Sequence, residues 1–234
     1  ELGSIQPIAE IVKIAGDIPV HTDAVQSFGK VEFDFAALNV TAATISAHKI
    51  GGPLGVAALI LKRGLDLTPV LHGGGQEREI RSGTLNAPSI VAFTAAAEYA
   101  IANMATNFKK IRELRDYFVT ELKKCVTDVS INSITDPALP GIVNATFLGT
   151  ESDALLLLLD TEGISASAGS ACSAGVPRPS HVLVALGLSE SDADASLRIS
   201  IGTTNTKAEI DQVLAILPSV VERARNAFVV SELN

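Results

Sequence analysis

The sequence of 234 residues contains only two cysteines, Cys125 and Cys172. Two thiols are too few for a disulfide framework, and neither they nor the four histidines have the spacing of a metal-ligand set. We therefore expect no disulfide-stabilised fold and no metal site. Each cysteine has to be interpreted on its own.

Long apolar runs and an excess of basic residues are also missing. No stretch reaches the ~18 apolar residues of a membrane span, since the leucine-rich run at residues 155–159 ends at Asp160. Lysine and arginine number 18 against 26 acidic residues, and the net charge of -8 disfavours binding to nucleic acid phosphates. The first residues show no basic region followed by an apolar one, so no signal peptide is expected. The sequence predicts a cytoplasmic protein that binds neither membrane nor nucleic acid.

Hydrophobic residues make up 47% of the chain, which is enough to bury the core of one large domain or two modest ones. The organising stretch is ISAHKIGGPLGV at residues 45–56, where Lys49 lies between two apolar runs, residues 40–45 and 55–61. Each run is typical of a strand that is buried on both faces. Lys49 is therefore predicted to follow the end of a strand, where α/β folds bind their ligands.

Two interpretations of Lys49 follow from this position. An ammonium group among apolar neighbours has a lowered pKa, which makes a lysine usable as a Schiff-base nucleophile. The alternative is an exposed lysine beside the tight Gly-Gly-Pro turn.

A second stretch, VHTDAVQS at residues 20–27, favours the first interpretation. Asp23 and Gln26 are three residues apart at the end of a predicted strand, so both side chains lie on one side of a turn. An ionised carboxylate can hold a proton on the ring nitrogen of pyridoxal phosphate, as that electron sink requires. Together with Ser46, His48 and Lys49, these residues resemble the cofactor-binding core of a fold-type I pyridoxal phosphate enzyme, with Lys49 as the Schiff-base lysine.

The two cysteines differ in their surroundings. Cys172 lies in SAGSACSAG at residues 167–175, a run of small residues in which an accessible thiol suits a nucleophile, although a loop cysteine can also be incidental. Cys125 lies in a helical pattern and is expected to be packed. The run around Cys172 resembles the active-site loop of class I cysteine desulfurases and differs from the shorter loop of the class II enzymes.

Arg198 alternates with apolar neighbours on a predicted strand and is expected to face inward. An inward arginine needs an anion, and the planar guanidinium group suits a carboxylate. A structural ion pair satisfies the same pattern. By resemblance, Arg198 matches the residue that binds the carboxylate of the substrate amino acid.

A glycine-rich loop, HGGGQEREIRSGTLN at residues 72–86, matches neither the Walker nor the Rossmann phosphate motif. It resembles the desulfurase loop at its start and at its Arg-Ser-Gly-Thr end, but has Glu79 where many members carry glycine. By this resemblance, Thr84 contacts the cofactor phosphate of the partner subunit in a homodimer. From the sequence alone, Thr84 could equally be a helix N-cap.

The resemblance extends over essentially the whole chain and implies a cysteine desulfurase of iron-sulfur cluster assembly. Such an enzyme converts L-cysteine to L-alanine and leaves a persulfide, here on Cys172, for a sulfur-acceptor or cluster-scaffold protein. A selenocysteine lyase or a pyridoxal phosphate aminotransferase remains an alternative. A third possibility is an inactive binding or docking module.

The chain begins at Glu1 rather than at methionine, and the family has a large N-terminal portion before the matching residue. That portion supplies groups that bind the cofactor phosphate. We therefore expect a C-terminal fragment that, by itself, binds pyridoxal phosphate poorly and has little or no activity.

The expected fold is α/β. Residues 1–98 are predicted to form the C-terminal part of the large cofactor-binding domain, a mainly parallel sheet with helices. Residues 99–234 are predicted to form a smaller α+β domain that carries the cysteine loop. Strands are predicted over residues 18–21, 40–46, 55–61, 129–131, 142–147, 164–167 and 197–201, and helices over 7–15, 35–38, 151–160, 180–186 and 207–227. Residues 87–124 are also predicted to be helical, either as two helices or as one long bent helix.

Overall fold

The computed structural model describes residues 1–134, 136–169 and 179–232, the last four of these by their backbone only. The chain divides into two compact units, which are described separately. The lysine unit is Gln6–Asn107, and the arginine unit combines Glu1–Ile5 with Phe108–Asn234. The domain division at residues 98 and 99 stays a prediction.

The helices of the lysine unit begin and end where local chemistry predicts. Asp34 caps the second helix by accepting hydrogen bonds from the backbone N–H of Ala36 and Ala37, both at 2.9 Å. Asn86, not Thr84, is the N-cap of the third helix, since its side chain accepts from the Ser89 backbone N–H at 3.3 Å. The elements are α1 (Ile8–Ala15), β1 (His21–Asp23), α2 (Phe35–Leu38), β2 (Ala42–Ser46), β3 (Ala57–Leu61) and α3 (Ala87–Ala102).

The three strands form one sheet in the order β1-β2-β3. The predicted parallel pairing is present between β1 and β2, where Asp23 is opposite Thr44. β3 runs antiparallel to β2, because the short turn after β2 brings the chain straight back along the same strand. β2 is buried along most of its length, as expected. The expected burial of β3 on both faces is wrong for this chain, since Leu59 is 49% exposed.

The core of the lysine unit is small and lies between the sheet and α3. It contains Ala24, Ile45, Ala47 and Phe93. The contact is close at Gly52, where an added Cβ would lie 2.9 Å from the Ala47 Cβ and 3.2 Å from the Ala96 Cβ on α3. Only glycine permits this approach without a shift of the neighbouring backbone.

The arginine unit is an antiparallel sheet packed against helices. Its core includes Phe118, Phe147, Leu155, Leu197 and Val221, all at most 1% exposed. The elements are α4 (Met104–Cys125, whose first turn belongs to the lysine unit), β4 (Val129–Ile131), β5 (Ile142–Phe147), α5 (Ser152–Thr161), α6 (His181–Ala185), α7 (Glu190–Asp194), β6 (Ser196–Ser200) and α8 (Lys207–Glu232), with sheet order β4-β5-β6.

Two details of this unit differ from expectation. The strand predicted at residues 164–167 is reduced to one bridge between Ser167 and Arg198, because the chain turns away at Gly169, whose φ is +65°. The short helix α7 was not predicted from the sequence. It begins at Ser189, whose hydroxyl accepts a hydrogen bond from the Asp192 backbone N–H at 3.1 Å.

A polar contact joins α4 to α8. The Tyr117 hydroxyl on α4 donates a hydrogen bond to Asp211 on α8 at 2.6 Å, and the Nζ of Lys207 contacts both side chains.

The first residues of the chain pack within the arginine unit, against residues that are distant in the sequence. Leu2 is buried in a cluster with Leu183 and Ala193. The Leu139 backbone N–H donates to the Gly3 carbonyl at 2.7 Å, which fixes this segment in place.

Among all the helices described in the two units, none is both long enough and apolar enough to cross a membrane.

Candidate active site

The cofactor residues predicted from the sequence lie along one edge of the lysine-unit sheet. Because β1 and β2 are parallel, their carboxyl ends meet at the same edge. Asp23 is the last residue of β1 and Ser46 the last of β2. His48 and Lys49 lie on the 3-10 turn Ala47–Ile50 that follows Ser46. The structure therefore brings Asp23, Ser46, His48 and Lys49 to a common edge.

The amine of Lys49 is exposed in this chain. The expectation that apolar neighbours surround it is wrong here, because the exposed face of the turn carries the lysine while Ala47 faces the core. Gly51 ends the turn with φ +83° and donates its N–H to the Ala47 carbonyl. This left-handed position favours glycine and fixes the direction in which the lysine backbone leaves β2.

Asp23 is held in one orientation by its own backbone turn. Its Oδ1 accepts from the Val25 N–H at 2.9 Å. Oδ2 makes no hydrogen bond to any residue that the structure describes. The carboxylate therefore has one fixed and one unused oxygen, which suits an acceptor for a ring N–H.

Gln26 has a hydrogen-bond partner on its own turn. Its Oε1 accepts from the Nζ of Lys30 at 2.9 Å. Lys30 is half-buried, and burial first, then the positive charge of Lys49, lowers the pKa of its ammonium group. Sequence reasoning missed Lys30, although its spacing of four from Gln26 within a turn was a usable signal.

Ser46 and His48 form a hydrogen-bonded pair beside Lys49. The Ser46 Oγ lies 2.7 Å from the His48 Nδ1. Ser46 is buried and His48 is exposed, so the contact anchors an exposed ring to a fixed hydroxyl. None of the described residues forms a hydrogen bond with the His48 Nε2, so this nitrogen can contact a ligand.

The glycine-rich loop is closed by contacts between its two ends. Gln76 Oε1 accepts from the Gly83 N–H at 2.9 Å, and the Ser82 hydroxyl accepts from the Gly75 N–H at 3.4 Å. Thr84 directly follows this closure and is exposed. Its predicted role as a contact to a partner's phosphate stays a prediction.

Within the loop, three consecutive residues adopt left-handed backbone conformations. Glu77, Arg78 and Glu79 have φ values of +48°, +58° and +63°. Side chains disfavour this region by about 1–2 kcal/mol per residue. Glu79, the departure from glycine noted in the sequence, is therefore strained.

Arg198 belongs to the arginine unit, where β6 pairs it with Asn144 on β5. Its Nε is buried and has no hydrogen-bond partner among the residues that the structure describes, and the same is true of the Nδ2 of Asn144. No ion pair of Arg198 occurs among the residues described, so the alternative of a structural ion pair finds no support there. Two unpaired donors beside each other favour an anionic or oxygen ligand.

The structure describes only one of the two cysteines, Cys125. Cys172 lies outside the described residues. Ser167, which begins its loop, exchanges both backbone hydrogen bonds with Arg198. Cys125 was expected to be packed, but it is exposed, because Leu122 and Val126 take the inward positions at the end of α4. Partial burial raises the pKa of the Cys125 thiol, and Glu121 adds to this effect, which makes it a weak nucleophile.

The residues at the lysine-unit edge fit pyridoxal phosphate. They provide an amine for its aldehyde, an oriented carboxylate for its ring nitrogen, and an amide, a hydroxyl and an imidazole for its oxygens. They do not resemble a metal centre, since the described residues include no group of three His, Cys, Asp or Glu side chains that could hold an ion.

Proteins named as cysteine desulfurases have sequences similar to that of this chain. An IscS-like cysteine desulfurase of Mycobacterium tuberculosis is 46% identical over 230 residues, covering 97% of this chain and 58% of that protein. The cysteine desulfurase IscS of Dictyoglomus turgidum is 40% identical over 227 residues, with 96% and 58% covered. The resemblance to cysteine desulfurases is thus confirmed, and the chain spans about 58% of the length of these relatives.

Solved structures share the fold. A NifS-like protein from Rickettsia africae superposes with a TM-score of 0.86 at 37% identity, covering 95% of this chain and 59% of that one. SspA in complex with cysteine gives a TM-score of 0.67 at 37% identity, with 88% and 57% covered. The fold is therefore α/β and corresponds to part of the NifS-like structures, as predicted. Since the family profile also matches residues 1–213, the chain belongs to the aminotransferase class-V family.

Proposed function

We propose that this chain contributes Lys49, Cys172 and Arg198 to a pyridoxal phosphate-dependent cysteine desulfurase. The reaction converts L-cysteine to L-alanine and transfers the sulfur to Cys172 as a persulfide. The relatives named as cysteine desulfurases support this reaction, as does the neighbour solved with bound cysteine. The observation that carries the proposal is the shared edge of β1 and β2, where an exposed lysine amine and an oriented carboxylate lie at the ends of parallel strands.

The lysine unit would hold the cofactor. Pyridoxal phosphate, when bound, supplies an electron sink that stabilises negative charge at the substrate Cα. The unused oxygen of Asp23 would accept a hydrogen bond from the protonated ring nitrogen, keep the proton on that nitrogen and so keep the sink effective. The Lys49 amine binds the aldehyde and, once released, moves the Cα proton. Gln26, Ser46 and His48 orient the ring through its oxygens.

The arginine unit would hold the substrate. Arg198 binds the cysteine carboxylate with its planar guanidinium group and so orients the amino acid. The thiolate of Cys172 then attacks the substrate sulfur. An S–S bond would form, the Cβ–S bond would break with its electron pair kept on carbon, and Cβ and then Cα would each take a proton to give alanine.

Partners and location follow from the same proposal. Thr84 would contact the cofactor phosphate of the second subunit in a homodimer. The persulfide sulfur would pass to an acceptor or cluster-scaffold protein, and we place the enzyme in the cytoplasm. A large-domain part at residues 1–98 and a small domain at 99–234 complete the proposed organisation.

The test uses the complete product of the gene, incubated with pyridoxal phosphate. We expect visible absorbance that borohydride abolishes, with the added mass fixed at Lys49, and release of alanine and sulfide from L-cysteine. Lys49→Ala should lose the absorbance and the activity together. Faster turnover of selenocysteine would instead support a lyase, and transfer of the amino group to a 2-oxo acid an aminotransferase. Bound cofactor without any of these reactions would refute the proposal.

The 234-residue chain itself should bind the cofactor weakly. Its described residues hold the aldehyde and the ring, whereas the resemblance places a phosphate-binding helix N-terminus before the position of Glu1. Each lost charge-assisted hydrogen bond weakens binding by ~1.5–3 kcal/mol. Equilibrium dialysis measures this directly. Stoichiometric binding at micromolar concentration would show that the groups within this chain are sufficient.

A further inference from the structure

The sheet of the arginine unit buries a polar face as well as an apolar one. Alternate residues of β5, such as Val143 and Phe147, point into the apolar core. The residues between them point to the opposite face, where Asn144 is 0% and Thr146 is 1% exposed. Antiparallel sheets commonly leave their second face to water. Here that face is covered, so each polar group on it needs a partner within the protein or in a ligand.

Hydrogen bonds on this face fix the orientation of the Asn144 side chain. The Ser196 hydroxyl donates its one proton to the Asp192 carbonyl at 2.7 Å, because a carbonyl can only accept. Ser196 must therefore accept the proton of Thr146, at 2.7 Å. Thr146 in turn accepts from the Nδ2 of Asn132 at 2.8 Å, and the second proton of this nitrogen goes to the Asn144 Oδ1 at 2.7 Å. The amide oxygen of Asn144 thus faces Asn132, and its Nδ2 points away.

Arg198 lies directly opposite Asn144 on the neighbouring strand. Its backbone N–H and C=O bond to Ser167, at 2.7 and 3.1 Å, and not to Asn144. Cross-strand pairs without such bonds have Cα atoms only ~4.5 Å apart, and their side chains leave the sheet on the same face. The Arg198 Nε and the Asn144 Nδ2 are both buried, and neither has a hydrogen-bond partner in the part of the chain that the structure describes. The N–H bonds of both nitrogens therefore lack an acceptor.

These unpaired donors determine the kind of ligand that fits. Nitrogen donors without an acceptor between them exclude a cation, and the guanidinium charge favours an anion. Because the unpaired Arg198 atom is Nε, a carboxylate can bind side-on, with one oxygen on Nε and the other on a terminal nitrogen. The half-buried Arg198 side chain has no hydrogen bond or ion pair to any residue described, so it can move to admit the carboxylate.

We propose that Asn144 is a second binding residue for the substrate carboxylate, whose Nδ2 donates to the oxygen that the Arg198 Nε binds. Asn132, Thr146 and Ser196 are positioning residues, which hold the amide in the orientation that leaves this nitrogen unpaired. The inference rests on the proposed function, because it takes the amino acid bound by Arg198 as the ligand. It adds a neutral donor whose direction is set, through two hydroxyls, by a backbone carbonyl.

The test compares two ligands that differ only in the carboxylate. These are L-alanine, the proposed product, and ethylamine, which is alanine without its carboxylate. Both are titrated into the complete gene product with bound pyridoxal phosphate, and binding is read from the cofactor absorbance. Asn144→Asp keeps the shape and the oxygen that Asn132 contacts, but replaces the donor with a negative charge. It should weaken the binding of L-alanine by about 10-fold or more and should not weaken that of ethylamine.

A matched control makes the same change elsewhere. The amide oxygen of Asn39 also accepts a hydrogen bond, from the Lys62 Nζ at 2.9 Å, but this residue belongs to the lysine unit. Asn39→Asp should leave the binding of both ligands unchanged. A merely structural role of Asn144 predicts a different result: Asn144→Asp would lower the melting temperature and weaken both ligands alike.

A second pair of variants tests the orientation of the amide and covers the case in which Asn144→Asp does not fold. Thr146→Val removes the hydroxyl at nearly constant volume, so the Asn144 amide is no longer held in one orientation. If both orientations become equally populated, L-alanine should bind about twofold more weakly. Thr146→Ser keeps the hydroxyl and should bind L-alanine normally.

Three results would overturn the inference. The first is unchanged L-alanine binding in Asn144→Asp, which would mean that water or another part of the protein satisfies these donors. The second is equal weakening of both ligands, and the third is equal L-alanine binding by Thr146→Val and Thr146→Ser. A failure of the proposed function is distinguishable, because neither ligand contains sulfur. Absence of sulfide release from L-cysteine would refute the desulfurase alone, whereas a gene product that binds no cofactor would refute both proposals.

Discussion

Asn144 and Arg198 lie directly opposite each other on β5 and β6, and each buries one nitrogen donor that has no partner among the described residues. Asn132 donates to the Asn144 Oδ1 at 2.7 Å, so the Asn144 amide nitrogen is turned away from Asn132. A buried donor left unpaired destabilises a protein by about 1–3 kcal/mol. The pair is therefore suited to an acceptor that is supplied from outside.

We expect Arg198→Lys to impair substrate use far more than cofactor binding. Lysine keeps the charge but lacks the planar guanidinium group, which can form two parallel hydrogen bonds with a carboxylate. The kcat/KM for cysteine should therefore fall about 100-fold. The measurement is steady-state kinetics with cofactor content by absorbance, in the complete gene product. Arg223→Lys, at an exposed ion pair with Glu162, is the control and should keep normal kinetics. Loss of cofactor from Arg198→Lys would instead make Arg198 a cofactor or structural residue.

Cys172→Ser and Cys125→Ser should separate the two thiols. The first should keep the cofactor absorbance and release no sulfide, because no thiolate remains to accept sulfur. The second should keep activity, since burial and Glu121 raise the pKa of Cys125 and leave its thiol mostly protonated near neutral pH. Sulfide release with a thiol reductant measures both. Wild-type activity in Cys172→Ser would contradict the desulfurase assignment.

Glu79→Gly should stabilise the protein. Glu79 has φ +63°, a conformation that glycine adopts without strain, so the expected gain is up to ~1 kcal/mol. Glu98→Gly is the matched control: Glu98 is exposed within α3, and glycine there should destabilise by about 0.5–1 kcal/mol. Urea unfolding gives both values. If both variants lose stability equally, Glu79 is not strained.

Asp211→Asn should weaken the contact between α4 and α8 in a pH-dependent way. Hydrogen bonds from Tyr117 and Lys207 lower the pKa of the Asp211 carboxyl in the folded state. A lowered folded pKa adds stability above the unfolded value of about 3.9, and this stability is lost as the pH falls through the folded value.

Melting temperatures from pH 7 to pH 2.5 should therefore show a deficit of Asp211→Asn at neutral pH that disappears in acid. Glu222→Gln, also on α8 and without a hydrogen-bonded partner among the described residues, is the control. A deficit of constant size across this range would mean that Asp211 acts through its shape and not through its charge.

Much of the fold could be predicted because its signals are local. Asp34 caps α2 through its own neighbours, and Gly16 ends α1, so both helices were visible in the sequence. The site residues at the ends of β1 and β2 were predictable in position for the same reason. Their roles stay predictions.

What could not be predicted depends on distant neighbours. The single bridge of Ser167 depends on where β6 lies, and the reversed direction of β3 depends on the path of its turn. Lys49 was expected among apolar side chains, but which face of its turn is covered is decided by packing. Asn144 gave no signal, because its importance arises only from the arginine opposite it.

The position of Leu2 determines the order in which the chain can fold during synthesis. Its packing partners Leu183 and Ala193 leave the ribosome about 180 residues later, whereas every residue of the lysine unit is available before them. Leu2 therefore cannot make these contacts until the whole lysine unit has been made. Closing so long a loop carries an entropic penalty that rises only slowly with its length. Folding of the arginine unit should consequently be completed after that of the lysine unit, when the segment around Leu2 meets Leu183 and Ala193.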